Sequence, residues 1–297
     1  MHKALEIRQK TVRSNDFDLD ILHDNIGSVY QSIGSHSTAL SHFEKALEIR
    51  RTLLSHNHSN VVLSHNNIGE VHRSMGLYPI ARSHYEKALE IWQKSLPPDH
   101  PDLATLHNSI GMLYYSEEQY AIALSHFEKA LEIQQNSLPY DHPDLAMSHN
   151  NIGSVHRSMK QYSSALSHME EALKILQKSL PSNHHDIAMV HNSIGMLYYS
   201  LGQYSNALSC IEKALEIFQK SSSSNYQTLS MLYNNIGTVH QSMGRYSTAL
   251  SHYEKALEIW VTFLPPNHPD LIKMRNNIRV VHQKMQILSS IDGRVYD

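Results

Sequence analysis

The sequence predicts an all-α protein, a right-handed α-solenoid made of repeated helix-turn-helix units. Three observations support this prediction: a short motif recurs every 42 residues, apolar residues follow helical spacing within each period, and glycines and prolines separate the helical stretches. A period of this length is typical of solenoids whose units stack side by side. The motif is Asn-Ile-Gly or Ser-Ile-Gly, and its isoleucines are Ile26, Ile68, Ile110, Ile152, Ile194 and Ile236, with Ile278 keeping the same spacing.

The first helix of a repeat is well defined between residues 60 and 74. His65, Ile68 and His72 lie three and four residues apart, so they share one face of a helix. Gly76 follows where a helix end needs a left-handed residue. Most repeats have glycine in this slot, namely Gly34, Gly202 and Gly244, with Glu118 and Lys160 as exceptions.

The second helix begins near Tyr78 and ends before two prolines at positions 97 and 98. Its apolar stripe includes Tyr85 between two alanines, Ala81 and Ala88. We expect these alanines to meet Gly69 of the first helix, small residue against small residue, so that the two helices approach closely. Pro101 suits the first turn of the next helix because its missing N–H needs no partner there.

Composition restricts the function classes. Hydrophobic residues make up 41% and charged residues 18% of the chain, and no stretch has the 18 or more apolar residues of a membrane span. The net charge is only −3, which argues against nucleic acid and anionic membranes as partners. Without a signal-peptide pattern at Met1, we expect a cytoplasmic protein. The single cysteine, Cys210, excludes a disulfide framework and a four-cysteine metal site.

Histidine is unusually frequent, with 23 residues. Most of them occupy fixed slots on the two helices, which favours packing or solvent-exposed roles over a special function. A pH-sensitive array is the alternative, because free imidazole titrates near pH 6.5. The slots are His65, His107, His149 and His191 on the first helix, and His84, His126, His168 and His252 on the second.

The period defines the predicted organisation. Residues 1–14 match a second helix whose own first helix is missing, residues 18–269 hold six tandem 42-residue units, 270–286 form a terminal first helix, and 287–297 form a tail. We therefore expect a piece of a longer array or a truncated product. Arg279 stands where glycine recurs, which fits a terminal helix. Two serine-containing linkers, 55–60 and 221–225, are candidate flexible joints.

These motifs resemble the tetratricopeptide repeat. The pattern Ile-Gly, Tyr, Ala, aromatic, Ala-Leu-Glu-Ile and Pro carries the resemblance, and the 42-residue period with the linker Leu-Pro-Pro-Asp-His-Pro-Asp-Leu at 96–103 is similar to the repeats of kinesin light chains. In that family the first helices line a concave wall and the first asparagine of an Asn-Asn segment holds the cargo peptide backbone. The matching positions are Asn66, Asn108, Asn150, Asn192, Asn234 and Asn276, whereas Asp24 interrupts the series.

A carboxamide suits this role because it offers both a donor and an acceptor to a peptide backbone. The alternative is that these asparagines bridge adjacent repeats, and the two roles are compatible. One turn later on the same face lie Glu70, Met112, Ser154, Met196 and Thr238. A further turn on lie Gln31, Arg73, Tyr115, Arg157, Tyr199 and Gln241.

These flanking residues alternate with a period of 84, since Arg or Gln in one repeat is followed by Met plus Tyr in the next. We predict a groove that accepts acidic residues near Arg73 and Arg157, and apolar or aromatic residues near Tyr115 and Tyr199. Ordinary exposed side chains without a ligand are the alternative.

The sequence thus predicts a non-catalytic scaffold that binds protein or peptide ligands, with no cofactor, metal or small-molecule substrate. Histidine, serine and glutamate recur in register rather than as one catalytic constellation, and His65 with His72 lacks further zinc ligands. Two alternatives stay open: a sensor or regulatory region of a larger signalling or catalytic protein, and a chaperone-docking domain, although the latter uses lysines where asparagines stand here. A kinesin-type adaptor also needs heptads, which residues 1–20 lack.

Overall fold

A computed structural model describes residues 17–53, 59–221, 226–264, 266 and 268–292. The helix predicted at residues 1–14 lies outside the described residues. So do most of the two serine-containing linkers, at 54–58 and 222–225, and the end of the predicted tail at 293–297.

The described residues form thirteen α-helices and no strands, which confirms the predicted all-α repeat fold. The helices alternate between a first helix of 16 or 17 residues and a second helix of 17 or 18, and a longer helix ends the series. They are α1 (Phe17–Ser32), α2 (His36–Leu53), α3 (Ser59–Ser74), α4 (Tyr78–Ser95), α5 (Pro101–Ser116), α6 (Tyr120–Ser137), α7 (Pro143–Ser158), α8 (Tyr162–Ser179), α9 (His185–Ser200), α10 (Tyr204–Lys220), α11 (Tyr226–Ser242), α12 (Tyr246–Phe263) and α13 (Pro269–Asp292).

The chain divides into two compact units, residues 1–139 and 140–297. In the first unit α1–α6 form three helical hairpins, and α2 also packs on α3 and α4 on α5. In the second unit α7–α12 form three more hairpins in the same manner, and α12 packs on α13. The apolar cores lie within and between consecutive hairpins of each unit, for example around Trp92 and Leu106 in the first and around Phe218 and Ile236 in the second.

Glycine at a left-handed backbone angle ends most first helices, as predicted. Gly76 has φ of +75°, and the three other glycines of this slot have φ of 72° or 73°. Glu118 and Lys160 adopt the same left-handed conformation, each with φ of 60°. The turn geometry is therefore conserved in all six repeats, even where a side chain makes it less favourable.

Histidine caps the start of several first helices. The Nδ1 atom of His100 accepts a hydrogen bond from the backbone N–H of Asp102, at 3.2 Å. The same bond occurs from Asp144 to His142, from Asp186 to His184 and from Asp270 to His268. The linker sequence His-Pro-Asp, or His-His-Asp at 184–186, thus satisfies an otherwise free helix N–H. Its aspartate lies in the first turn, where the helix dipole favours a negative charge.

The glycine of the Ile-Gly motif sits directly beneath a large side chain of the partner helix. A Cβ atom added to Gly69 would lie 2.7 Å from Cε1 of Tyr85. Equivalent contacts join Gly111 to Phe127 and Gly153 to Met169. The expected approach of glycine to alanine is also present, since the Ala165 carbonyl oxygen would lie 3.0 Å from a Cβ on residue 153. Glycine here therefore makes room both for the alanine backbone and for the bulky side chain sixteen positions later.

Paired histidines join the two helices in four hairpins. The Nδ1 atoms of His65 and His84 lie 2.9 Å apart, so one ring donates its proton to the other. The same contact joins His23 to His42, His107 to His126 and His149 to His168. The sequence placed these residues in recurring slots, and the structure shows that the slots pair with each other. In the fifth hairpin Cys210 takes the place of the second histidine.

Partial burial lowers the pKa of these rings. Burial, followed by the nearby charge of the partner imidazole, lowers the pKa of His65 to about 4, and burial is also the main cause for His84, which falls to about 4. The pKa values of His23, His107, His191 and His252 fall to about 4 for the same first reason. These histidines are neutral in the folded protein near pH 7.

The terminal helix α13 continues to Asp292, beyond the end at residue 286 expected from the repeat pattern. The sequence has neither glycine nor proline between Pro269 and Gly293, so nothing in this stretch stops the helix. Arg279 is exposed in the slot where the other first helices have glycine. Ile287 and Leu288 are about half exposed.

Replacing Gly153 by alanine should destabilise the fold by about 1–3 kcal/mol, because the new Cβ would overlap Met169 and the fixed backbone of Ala165. Urea denaturation followed by circular dichroism measures the effect. Arg279→Ala is the matched control, since it changes the same repeat position on a helix where that position is exposed. Equal stability of Gly153→Ala and the unchanged protein would contradict the packing argument.

Stability should fall as pH decreases from 7.5 to 5.0. A folded-state pKa of about 4 lies below the unfolded value near 6.5, so the unfolded chain binds more protons between these values and acid favours unfolding. We expect the thermal midpoint to fall by about 5 °C or more. His168→Cys, which copies the His191–Cys210 combination, should make the dependence shallower. A midpoint that stays constant over this range would rule out neutral histidine pairs.

Candidate functional site

The asparagine positions lie at the same place on six first helices. Asn66 and Asn108 belong to α3 and α5 of the first unit, and the other four belong to α7, α9, α11 and α13 of the second. Asn150 and Asn192 are only 7% exposed, whereas Asn276 on the terminal helix is exposed. The other three are partly exposed. The two flanking positions follow one and two turns later on the same helix.

Some of these asparagines hold adjacent repeats together. The Asn235 amide donates to Oδ1 of Asn192 at 2.9 Å, and the Asn277 amide donates to Oδ1 of Asn234 at 3.3 Å. In each case the second asparagine of one repeat bonds the first asparagine of the preceding repeat. The bridging role, kept as an alternative from sequence, is therefore present within the second unit.

Asp24, the exception in the series, belongs to a buried ionic network. Its carboxylate pairs with the Arg50 guanidinium and accepts a hydrogen bond from the Asn67 side chain. Arg50 also donates to Asp20 at 2.6 Å and to the Ser64 hydroxyl at 2.6 Å. Burial raises the pKa of Asp24, and the charge of Arg50 opposes this rise. The Asp24 carboxylate is thus a partner for a buried cation, Arg50, at a position where the other repeats have uncharged residues.

Asn150 differs from Asn192, because the following repeat has serine rather than asparagine at the bridging position. The Ser193 hydroxyl donates to the Met189 carbonyl of its own helix at 3.1 Å. Oδ1 of Asn150 is buried and has no hydrogen-bond partner among the described residues. The same holds for Oδ1 of Asn66, because the bridging position of the next repeat is again a serine, Ser109.

The flanking residues of two repeats are tied to a tyrosine of their own hairpin. Tyr85 donates to Glu70 at 2.9 Å, and Glu70 forms an ion pair with Arg73. Burial opposes the charge of Arg73, but the hydrogen bonds and charge of Glu70 outweigh it and raise the pKa of Arg73. Tyr253 makes the corresponding bonds to Thr238 at 3.2 Å and to Gln241 at 2.8 Å.

The other repeats lack this internal tie. Ser154 occupies the position of Glu70 and donates to the Asn150 backbone carbonyl at 3.0 Å. Met169 replaces the tyrosine and is fully buried. In the described part of the chain no carboxylate lies within ion-pair distance of Arg157. Tyr199 bonds the Ser242 hydroxyl of the next repeat at 3.0 Å.

One group of side chains could hold a metal ion. Within the described residues, His184, His185 and Asp186 have ligand atoms that all lie within 4.8 Å of one another. However, Nδ1 of His184 is already the acceptor for the backbone N–H of Asp186, the same helix cap that three other linkers form. The cap accounts for this cluster without a metal.

The described helices include none that is both long and apolar enough to cross a membrane. The sequence suggested bridging asparagines but not which repeats would have the bond. Asparagine and serine alternate at the second position of the motif between residues 67 and 235, so the bridging residue is missing at Ser109 and Ser193.

Comparison with known proteins identifies the family. The family model described as the tetratricopeptide repeat matches six overlapping segments: 17–76, 60–136, 102–178, 144–220, 186–260 and 227–285. No curated protein sequence matches the chain.

Solved structures show the same fold at low sequence identity. A tetratricopeptide repeat protein from Parabacteroides merdae is 15% identical, with a TM-score of 0.62 over 94% of this chain and 90% of that one. BtubC (BKLC) from P. vanneervenii is 22% identical, with a TM-score of 0.57 over 78% of this chain and 91% of its own. A Podosopora anserina protein, described by its kinesin light chain TPR-like repeats, is 21% identical, with a TM-score of 0.54 over 68% and 96%.

Each likeness concerns the fold. The six matched segments, by contrast, cover nearly all of the residues between 17 and 285, and the paired helices, left-handed turns and 42-residue period agree with them. The chain belongs to the tetratricopeptide repeat family.

Proposed function

We propose that this chain is a non-catalytic scaffold that binds extended peptide segments of partner proteins on the face formed by its first helices. The tetratricopeptide repeat fold supports a protein-interaction role. The observation that carries the peptide-binding proposal is the carboxamide that recurs at one position of six first helices, flanked on each helix by residues of alternating chemistry.

An extended peptide presents the same backbone groups at regular intervals, so a regular series of carboxamides is a suitable receptor for it. Neighbouring helices pack about 10 Å apart and an extended strand rises about 3.3 Å per residue. Each repeat would therefore serve about three residues of the ligand. Recognition in this manner depends on the backbone first and on side chains second.

Side-chain selectivity would come from the flanking positions. Tyr115 and Tyr199 offer aromatic surface to apolar or aromatic residues, and arginine offers a partner for acidic ones. Cargo recognition of the kinesin light chain type is the specific form of this proposal, supported by the shared fold and the Asn-Asn motif. Nucleic acid, membranes and small-molecule substrates are not expected as ligands.

The proposal predicts that Asn150, Arg157 and Asn192 are needed for peptide capture. Selection from a random 12-residue peptide library displayed on phage should enrich peptides on the unchanged protein and should enrich none on the triple alanine variant. The loss follows from removing two carboxamides and one cation from the same face. Circular dichroism should show unchanged helicity of the variant.

Glu171→Ala with Lys174→Ala is the matched control. These residues form an exposed ion pair at 3.0 Å on α8, a second helix, so their removal should leave peptide selection intact. Failure of the unchanged protein to enrich any peptide would contradict the proposed function. Undiminished capture by the triple variant would show that ligands bind elsewhere.

A further inference from the structure

We propose that Asn150 and Arg157 of α7 form the subsite that selects an acidic peptide segment, and that Arg73, in the equivalent repeat 84 residues earlier, does not take part in this selection. The inference rests on the proposed function, because it concerns how the first-helix face distinguishes one peptide from another. It separates two arginines that the sequence treats as equivalent. The separation follows from what each side chain already contacts.

The carboxamide of Asn150 differs from those of Asn192 and Asn234 in its hydrogen bonds. Asn192 and Asn234 each accept a hydrogen bond from the next repeat, so their oxygen atoms are engaged in holding the second unit together. Asn150 is only 7% exposed, and its side-chain oxygen has no hydrogen-bond partner among the described residues. A buried acceptor without a donor is unfavourable, and a hydrogen bond from a ligand N–H would remove this cost.

Serine explains why the Asn150 oxygen is available. Asn235 lies at the bridging position of its repeat and is long enough to bond Asn192 in the preceding repeat. Ser193 lies at the bridging position of the repeat after Asn150, but its side chain is shorter and bonds the Met189 carbonyl of its own helix. The carboxamide of Asn150 can then rotate about its side-chain torsions to meet a peptide group. The fold thus positions Asn150 on α7 and leaves its side-chain oxygen without a hydrogen bond to the described residues.

The two arginines, Arg73 and Arg157, differ in the partners of their side chains. Arg73 forms an ion pair with Glu70, and it also donates to the Ser116 hydroxyl of the next repeat at 3.1 Å. Tyr85 holds the Glu70 carboxylate in this position. An acidic ligand that approached Arg73 would meet the negative charge of Glu70, so the pair offers little net attraction.

Arg157 has none of these partners. Serine replaces glutamate at position 154, and its hydroxyl bonds the Asn150 backbone carbonyl. Methionine replaces tyrosine at position 169, so the carboxylate and the tyrosine hydroxyl found beside Arg73 are both missing here. Its side chain is partly buried, and no ion pair to it occurs within the described ranges. A guanidinium in this setting can pair with a ligand carboxylate through two parallel hydrogen bonds.

The spacing of the two groups fits one short peptide segment. Asn150 and Arg157 are separated by seven residues of helix, about 10 Å along its axis. A peptide that crosses successive first helices has about three residues on each repeat, so the side chains of Arg157 and of a ligand Asp or Glu reach towards each other along the axis of α7. The expected ligand therefore presents an Asp or Glu among the about three residues that cross α7 together with the backbone group that binds Asn150.

Two substitutions taken from the chain's own repeats test this inference. Ser154→Glu copies Glu70 and should neutralise Arg157, whereas Glu70→Ser removes the carboxylate from Arg73. The probes are C-terminally amidated, fluorescein-labelled 12-residue peptides selected by phage display on the unchanged protein, each paired with an analogue in which Asp and Glu become Asn and Gln. Fluorescence anisotropy gives the affinity.

For the unchanged protein we expect the acidic peptides to bind about tenfold more tightly than their amide analogues. Ser154→Glu should abolish this difference, and Arg157→Ala should do the same, while Arg73→Ala should retain it. Ser193→Asn, which supplies the bond that Asn235 makes elsewhere, should weaken acidic and amide peptides alike. Circular dichroism and the thermal midpoint should show that each variant is folded.

The outcomes separate the two proposals. If peptides are enriched but carry no acidic preference, or if Ser154→Glu keeps the preference, the inference about Arg157 is wrong and the peptide-binding function stands. If preference is lost equally in Arg73→Ala and Arg157→Ala, the two sites are equivalent and the inference is again wrong. If no peptide is enriched at all, the proposed function fails, and this inference fails with it.

Discussion

The close contact between one glycine and one large side chain organises every hairpin of this protein. The glycine of the Ile-Gly motif leaves space for the residue sixteen positions later, such as Tyr85, Met169 or Tyr253, and a Cβ atom in its place would lie under 3 Å from that side chain. Because this contact fixes how the two helices meet, it also fixes the surroundings of the asparagine and its two flanking residues on the first helix. Asn150 and Asn192 are only 7% exposed, whereas Arg73 and Arg157 are partly exposed.

The same large residue links the core to the candidate site. Where it is tyrosine, its hydroxyl reaches the flanking side chains: Tyr85 bonds Glu70, and Tyr253 bonds Gln241. Where it is methionine, as at Met169, there is no hydroxyl and the flanking arginine has no internal partner among the described residues. The identity of this one buried residue therefore decides whether the flanking side chains have a hydrogen-bond partner within their own hairpin. This is a physical reason to expect that repeats with the same backbone differ in the ligands that they accept.

Much of the fold could be predicted from the sequence, because the signals are local. Gly76, Pro101 and the apolar stripe around Tyr85 lie within a few residues of the helix ends and faces that they determine. The position of each carboxamide on a first helix could also be predicted from the period. The 84-residue alternation of residue types at the flanking positions is likewise present in the sequence itself.

What could not be predicted are contacts between residues distant in the chain. The bond between Asn192 and Asn235 joins positions 43 residues apart, and the His65–His84 pair joins two helices across a turn. The sequence shows that the same residue type recurs at the same position of each repeat, but it does not show that two such side chains contact each other. Whether Arg73 is free or paired depends on Glu70 and Tyr85 together, and this requires the geometry of the closed hairpin.

The central claim is that a peptide binds on the first helices at the recurring carboxamides, and above all at Asn150, whose oxygen has no partner among the described residues. A crystal structure of the unchanged chain with a selected acidic peptide tests it most directly. The account predicts a peptide backbone group about 3 Å from the Asn150 carboxamide and a peptide carboxylate on Arg157, with the Asn192–Asn235 bond intact. A peptide bound along the second helices, or one that leaves Asn150 without a contact, would contradict it.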